Sequence, residues 1–214
     1  MATTRGAALW VVAAIGYLAL EAVAAAGFEP GYSYAHNYIS DLGVSRGKLI
    51  HGQMVYSPRA YLMHIAFYLQ GMLFFLGASL MVGVSDNRRA RIFLGTVAVN
   101  AVGNFVIGTI HSGSVHIVGA VLAIVAGNAA ILTGITAIRV VAERPWYRRI
   151  SKLLAALGLL SMVVLMLNSA TAKTILLPDG AWERASVYSI TLWQLLTGAC
   201  LLATRRRQAG RLGR

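Results

Sequence analysis

Residues 115–138, VHIVGAVLAIVAGNAAILTGITAI, run on without a single Asp, Glu, Lys or Arg. A helix needs roughly 20 residues to cross a hydrocarbon core of about 30 Å, so this run is long enough to span a membrane. It is apolar at every register rather than alternating, and an open strand edge in lipid would leave backbone groups unpaired. The segment therefore reads as a transmembrane helix. Working outward, runs of the same kind occupy 7–27, 58–84, 91–110, 151–170 and 184–204. The whole chain of 214 residues is 57% hydrophobic and 12% charged, too apolar for a soluble domain. These features predict an all-α fold, a polytopic six-transmembrane-helix bundle with both termini cytoplasmic and a long first outer loop. The single membrane domain covers 1–204, and 205–214 reads as a frayed basic cytoplasmic tail.

Orientation follows from the connections, because cytoplasmic loops retain Lys and Arg. Arg5; Arg88, Arg89 and Arg91; Arg139, Arg144, Arg148, Arg149 and Lys152; and Arg205, Arg206, Arg207, Arg211 and Arg214 fall on one side, 14 of the 19 basic residues. The other side holds Arg46, Lys48, Arg59, Lys173 and Arg184. The net charge of +12 is thus a membrane-flanking pattern that suits anionic headgroups, and no nucleic-acid partner is expected. Ala22-Val23-Ala24 after the first apolar run imitates a signal-cleavage site, but that run is longer than a usual h-region of roughly 7–15 residues. Cys200 has no partner in the chain, which rules out an internal disulfide and a cysteine-based metal site.

The first outer connection, about 28–57, mixes aromatic and polar residues and is expected to pack over the mouth of the bundle. Ser57-Pro58 is expected to cap the second span, Asp41 to bond turn amides, and Gly43 to take a left-handed conformation. All five histidines, His36, His51, His64, His111 and His116, fall at or near this same side. Asn100, Asn104, Ile107 and His111 share one face of the third span, predicting a polar wall that opens outward at His111. The plainer reading has the two asparagines bonding neighbouring helices. His111 and His116 flank a tight hairpin. With Asp41 they form an alternative metal set, for zinc, although their spacing is not that of a helical metal pair; the primary expectation is no cofactor. In the last span Glu183, Ser186, Ile190 and Gln194 share a stripe, with Glu183 expected to pair with a loop cation such as Arg46 or Arg59. Glu21, an intramembrane carboxylate, is a functional candidate, or else a protonated or Asn/Ser-bonded group.

Asn37-Tyr38-Ile39-Ser40-Asp41-Leu42-Gly43, His116-Ile117-Val118-Gly119-Ala120, and Glu183-Arg184 with Ser186-Val187-Tyr188 and Trp193-Gln194 resemble the signatures of a prokaryotic six-span membrane family called Domain of Unknown Function 998. The resemblance covers nearly the whole chain and implies a six-span fold in a prokaryotic inner membrane, without implying an activity. It raises Asn37, Ser40, Asp41, His116, Glu183 and Arg184 above the other polar residues. The leading expectation is an accessory or transport-like protein whose outer mouth binds a lipid or another small ligand. Its cavity would be lined by Gln70, Asn100, Asn104 and Gln194, with Asp41, His116, Glu183 and Arg184 at the entrance. Two alternatives remain open at this stage. One is a metal-dependent intramembrane lipid hydrolase, superficially like the alkaline ceramidases but without their His-x-x-x-His spacing. The other is a structural subunit of a membrane complex, for which Ala130-Ile131-Leu132-Thr133-Gly134 offers a small-residue stripe.

Overall fold

The computed structural model of the chain describes residues 2–50, 53–83 and 87–212; His51 and Arg214 lie outside them. In chain order the helices are α1 (Ala2–Ala25), α2 (Ala60–Val82), α3 (Arg88–Thr109), α4 (Gly113–Ala137), the single turn α5 (Arg139–Ala142), α6 (Pro145–Thr171) and α7 (Asp179–Leu212). All but α5 are long and apolar enough to cross a membrane. Large apolar side chains such as Val12, Ile15, Phe105, Leu153 and Leu160 are exposed, a pattern that a water-soluble monomer avoids and a lipid-facing surface requires.

The long helices form a ring in the order α1, α2, α3, α4, α6, α7, which closes where α7 meets α1; α7 also touches α4. Small residues set how closely the helices approach. A Cβ at Gly103 of α3 would lie 2.4 Å from the Ala123 backbone nitrogen of α4, and one at Gly6 of α1 would lie 2.5 Å from the Gly77 carbonyl of α2. The end of the ring bearing α5 and the α2–α3 connection, called here the basic end, has an apolar core. Trp10 is fully buried there, with its Nε1 donating to the Phe74 carbonyl at 2.9 Å. Its ring lies 5.0 Å from those of both Phe74 and Trp193, pairs worth about 0.5–1.5 kcal/mol each beyond their burial. Ala130, Ile131 and Gly134 face inward, Gly134 against Trp193, so the stripe expected on the outer surface belongs to this core. The Ala22–Ala24 stretch lies within α1, a helix whose Trp10, Tyr17 and Glu21 are buried in the bundle.

The opposite, loop end is covered by the connection between α1 and α2. A 3-10 turn at Ile39–Gly43 and a hairpin of β1 (Lys48–Ile50) and β2 (Gln53–Val55) organise this stretch, and Phe28, Ile39, Leu42 and Val55 are buried under it. The chain thus contains a short antiparallel pair, outside the spans and so without an edge in lipid.

Three local expectations fail for identifiable reasons. Ser57 does not cap α2, because its Oγ donates to the Leu42 carbonyl at 2.7 Å and ties the 3-10 turn down; Arg59 occupies the N-cap position. Gly43 is absent from the positive-φ glycines, and its carbonyl instead lies 2.8 Å from Nε2 of His64. The basic stretch after 204 is helical rather than irregular, continuing α7 to Leu212.

Candidate functional site

At the loop end, the last span carries Glu183 and Arg184 on adjacent positions, which a helix points about 100° apart. They accordingly go to different partners. Arg184 is buried and turns inward to Glu21 of α1, Nη2 to Oε1 at 3.3 Å, and Glu21 also accepts the Tyr188 hydroxyl at 2.9 Å through both oxygens. Arg184 Nη1 donates to the carbonyls of Tyr34 (2.7 Å), Asn37 (2.8 Å) and Gly180 (3.0 Å), and Nη2 also bonds the Tyr32 hydroxyl. The Tyr32 and Tyr34 rings flank the guanidinium at 5.1 and 4.8 Å. One arginine therefore anchors the long loop to α1 and α7. Burial pushes the Tyr32 phenol far above its usual range, more strongly than Arg184 pulls it down, so it remains a neutral donor to the Tyr38 carbonyl at 2.8 Å.

Glu183 faces the other way and accepts the Ile39 amide at the start of the 3-10 turn, not Arg46 or Arg59. Arg59 instead donates to the Val23 carbonyl. Within the turn, Asp41 accepts the Tyr38 amide at 2.9 Å, as its turn reading predicts. The Tyr38 hydroxyl donates to Asp179 at 2.7 Å, and burial together with that carboxylate raises its pKa well above the ordinary value. Asn168 Nδ2 completes the chain by donating to Asp179 at 2.7 Å.

Below the turn lies an internal cavity of about 50 Å³, room for a few waters, walled by Ser40, Asn100, Asn104, Ile107, His116 and Glu183 together with Tyr17 and Gln70. Asn100 Nδ2 donates to the Ala123 carbonyl at 2.6 Å and Asn104 Nδ2 to Asn100, so both asparagines brace helices while facing the cavity. Gln70 Nε2 donates to Gln194 Oε1 at 2.6 Å, with Gln194 set behind it. The Gln70 Oε1 and Tyr17 hydroxyl are buried without a partner in the protein.

A second hollow of about 570 Å³ opens between α4 and α6. Ser40, His116, Ala120, Ile124 and Glu183 border both spaces, so the internal cavity and the groove share one wall. The groove has two chemistries. Tyr38, Ser40, Asp41, His111, His116, Ser169 and Glu183 line its end beneath the loop, and Ile117, Val121, Ile124, Met162, Leu165 and Met166 line the rest. Its apolar end closes where α4 and α6 approach at Gly158, whose Cβ would lie 2.0 Å from Asn128 Oδ1. The helices are pinned together there and stand apart toward the loop.

Of the residues singled out in sequence, Ser40, Asn100, Asn104, His116 and Glu183 meet around the cavity, and Asp41 joins at the groove. Asn37 and Arg184 belong to the loop anchor, the Asn37 Oδ1 accepting the Ser33 amide at 2.9 Å. The cavity does not open at His111. The helix ends at Thr109, and the His111 ring stacks on His64 at 3.7 Å with its Nε2 beside the Gly108 carbonyl. His116 Nδ1 lies 2.6 Å from the Ile110 carbonyl. Among the described residues, no group of three or more His, Cys, Asp or Glu is placed to hold a metal ion. The sequence reading missed the Glu21–Arg184 pair, although an intramembrane carboxylate and an arginine at matching ends of the first and last spans were its signal. It also missed α6 as the groove's second wall, since Met162, Met166 and Ser169 look like ordinary lipid-facing residues.

Six helices long enough to cross a bilayer, a lipid-facing apolar surface and a polar site under a loop cap define a multi-pass integral membrane protein. The family described as protein of unknown function (DUF998) matches residues 11–200, and the chain belongs to that family. No curated protein and no solved structure matches the chain.

Proposed function

We propose that the protein binds a lipid or other small amphiphile in the α4–α6 groove, the polar end under the 3-10 turn and the chain against the apolar wall. One observation carries this reading: a hollow of about 570 Å³, within the range of small-molecule sites, is polar at one end and lined by aliphatic and Met side chains along the rest. Glu183 and His116 border both the groove and the inner cavity, which makes them contact residues for the polar end. The role is accessory or transport-like and needs no cofactor.

Val121→Trp tests it by filling the groove, with Val125→Trp, one turn along α4 and outside the lining, as control. Mass spectrometry of the detergent-purified protein is expected to find a near-stoichiometric amphiphile on wild type and control and none on Val121→Trp. Equal retention by both variants would overturn the assignment.

The distribution of Lys and Arg supports an orientation with the termini cytoplasmic and the loop end outside, and the family resemblance supports a prokaryotic inner membrane. In a Cys200→Ser background, an impermeant maleimide on intact cells is expected to label Lys173→Cys but not Arg88→Cys; the reverse pattern inverts the topology.

A further inference from the structure

The groove has a definite depth, and its two walls agree on it. From the polar side chains under the loop, the lining continues down α4 from His116 to Ile124 and down α6 from Ser169 to Met162. At about 1.5 Å per helical residue these intervals are roughly 12 and 10 Å long. One turn farther along each helix the seam is shut. A Cβ on Gly158 of α6 would collide with Asn128 Oδ1 of α4, and Asn128 Nδ2 also donates to the Ser186 carbonyl of α7 at 3.1 Å, so three helices are fastened at this level.

Exposure changes along the groove in the same sense. Ile117 and Met166, in its upper part, are 61% and 52% exposed, whereas Ile124 and Met162 at its floor are 5% and 7% exposed. The groove is thus open along its side near the loop and becomes a closed slot toward the pin.

Such a slot measures chains. Lipid tails are as apolar as the groove wall, so an alkyl chain that enters gains close packing rather than escape from water. A chain that is too short leaves the floor unfilled. One that is too long must either lift its head from the polar end or bend out past Met166 into the lipid, where its extra methylenes gain nothing. An extended chain of single bonds advances about 1.2 Å per bond, so the groove accommodates roughly eight to ten carbons. The chains of bulk bilayer lipids have to cover half of a hydrocarbon core of about 30 Å, which is longer than the slot.

We propose that the groove selects single-chain amphiphiles with a tail of about eight to ten carbons over the longer-chained lipids of the surrounding membrane. The inference rests on the groove being the binding site.

The test is equilibrium binding of radiolabelled 1-alkanols, hexanol, octanol, decanol, dodecanol and hexadecanol, to the full-length protein in nanodiscs of palmitoyl-oleoyl phosphatidylcholine. Affinities are compared at equal mole fraction of probe in the bilayer, so that partition into lipid cancels. Octanol or decanol is expected to bind best, with hexanol and hexadecanol each at least about fivefold weaker. Met162→Ala lowers the floor and is expected to move the optimum about two carbons longer. Met166→Ala, on the exposed upper part of the same wall, is expected to leave the optimum where it is. Affinity that is level across the series, or highest for hexadecanol, would overturn the chain-length selection and leave the groove assignment standing as long as Val121→Trp abolishes the binding. An optimum that Met162→Ala and Met166→Ala shift equally would also overturn it. Binding of no probe, or binding that Val121→Trp leaves intact, would overturn the groove assignment and this inference with it.

Discussion

The two ends of the bundle are built from the same helices and solve opposite problems. At the basic end, Trp10, Phe74, Phe93 and Trp193 interlock in a close-packed core, with Gly77 and Gly134 giving the indoles their seats. At the loop end, polar and charged residues are buried instead, held by bonds to loop carbonyls and to one another, and two hollows remain between the helices. Apolar contacts tolerate no gap, whereas a hydrogen-bonded frame can hold helices apart at fixed separation. The comparison places close apolar packing at one end and the candidate site at the other.

The sharpest way to break that comparison is to remove the frame. Arg184→Ala leaves Glu21 buried without its ion-pair partner and is expected to cost about 3–5 kcal/mol, measured by reversible unfolding in detergent. Adding Glu21→Gln to the same chain is expected to recover part of the loss; if the double variant is no more stable than the single one, the pair is not what holds the loop. In the close-packed half a single methyl group should be felt. Gly134→Ala sets a Cβ 2.6 Å from Trp193 Cη2 and is expected to cost about 1–3 kcal/mol. A lipid-facing glycine sharpens the point with the opposite sign, since nothing lies within 4 Å of a Cβ on Gly95. Gly95→Ala is expected to gain about 0.5–1 kcal/mol from helix propensity alone. The smallest change belongs to the groove, where Val121→Trp adds many atoms to open space and is expected to shift stability by no more than about 0.5 kcal/mol. A large loss there would mean that the groove is filled by its own walls.

Much of the fold was legible because hydrocarbon imposes a length and a composition on every span. The run at 115–138 and its five counterparts reappear as α1, α2, α3, α4, α6 and α7 with shifted ends. The ends moved for local reasons: Pro145 is comfortable at the first position of α6 because its missing amide hydrogen is not needed there, and Ser57 had a better partner in Leu42 than in the helix it precedes. Part of the site was also legible, since Asn100, Asn104, His116 and Glu183 are polar groups that lipid excludes from its own side. His111 defeated the same reasoning. Its helical periodicity stops counting once the helix ends at Thr109, and the ring turns to stack on His64.

What the sequence determined by itself is the number of spans, their helical character and the segregation of basic residues to one set of connections, all of which follow from the energetics of single residues in lipid, interface and water. Only the tertiary structure decided that Glu21 meets Arg184, that Glu183 turns to Ile39, and that α6 supplies the groove's second wall. Those outcomes depend on which helices become neighbours and how closely their small residues let them approach. Gly158 against Asn128 closes one end of the α4–α6 seam and leaves the other open. Hydropathy along one chain carries no record of that spacing.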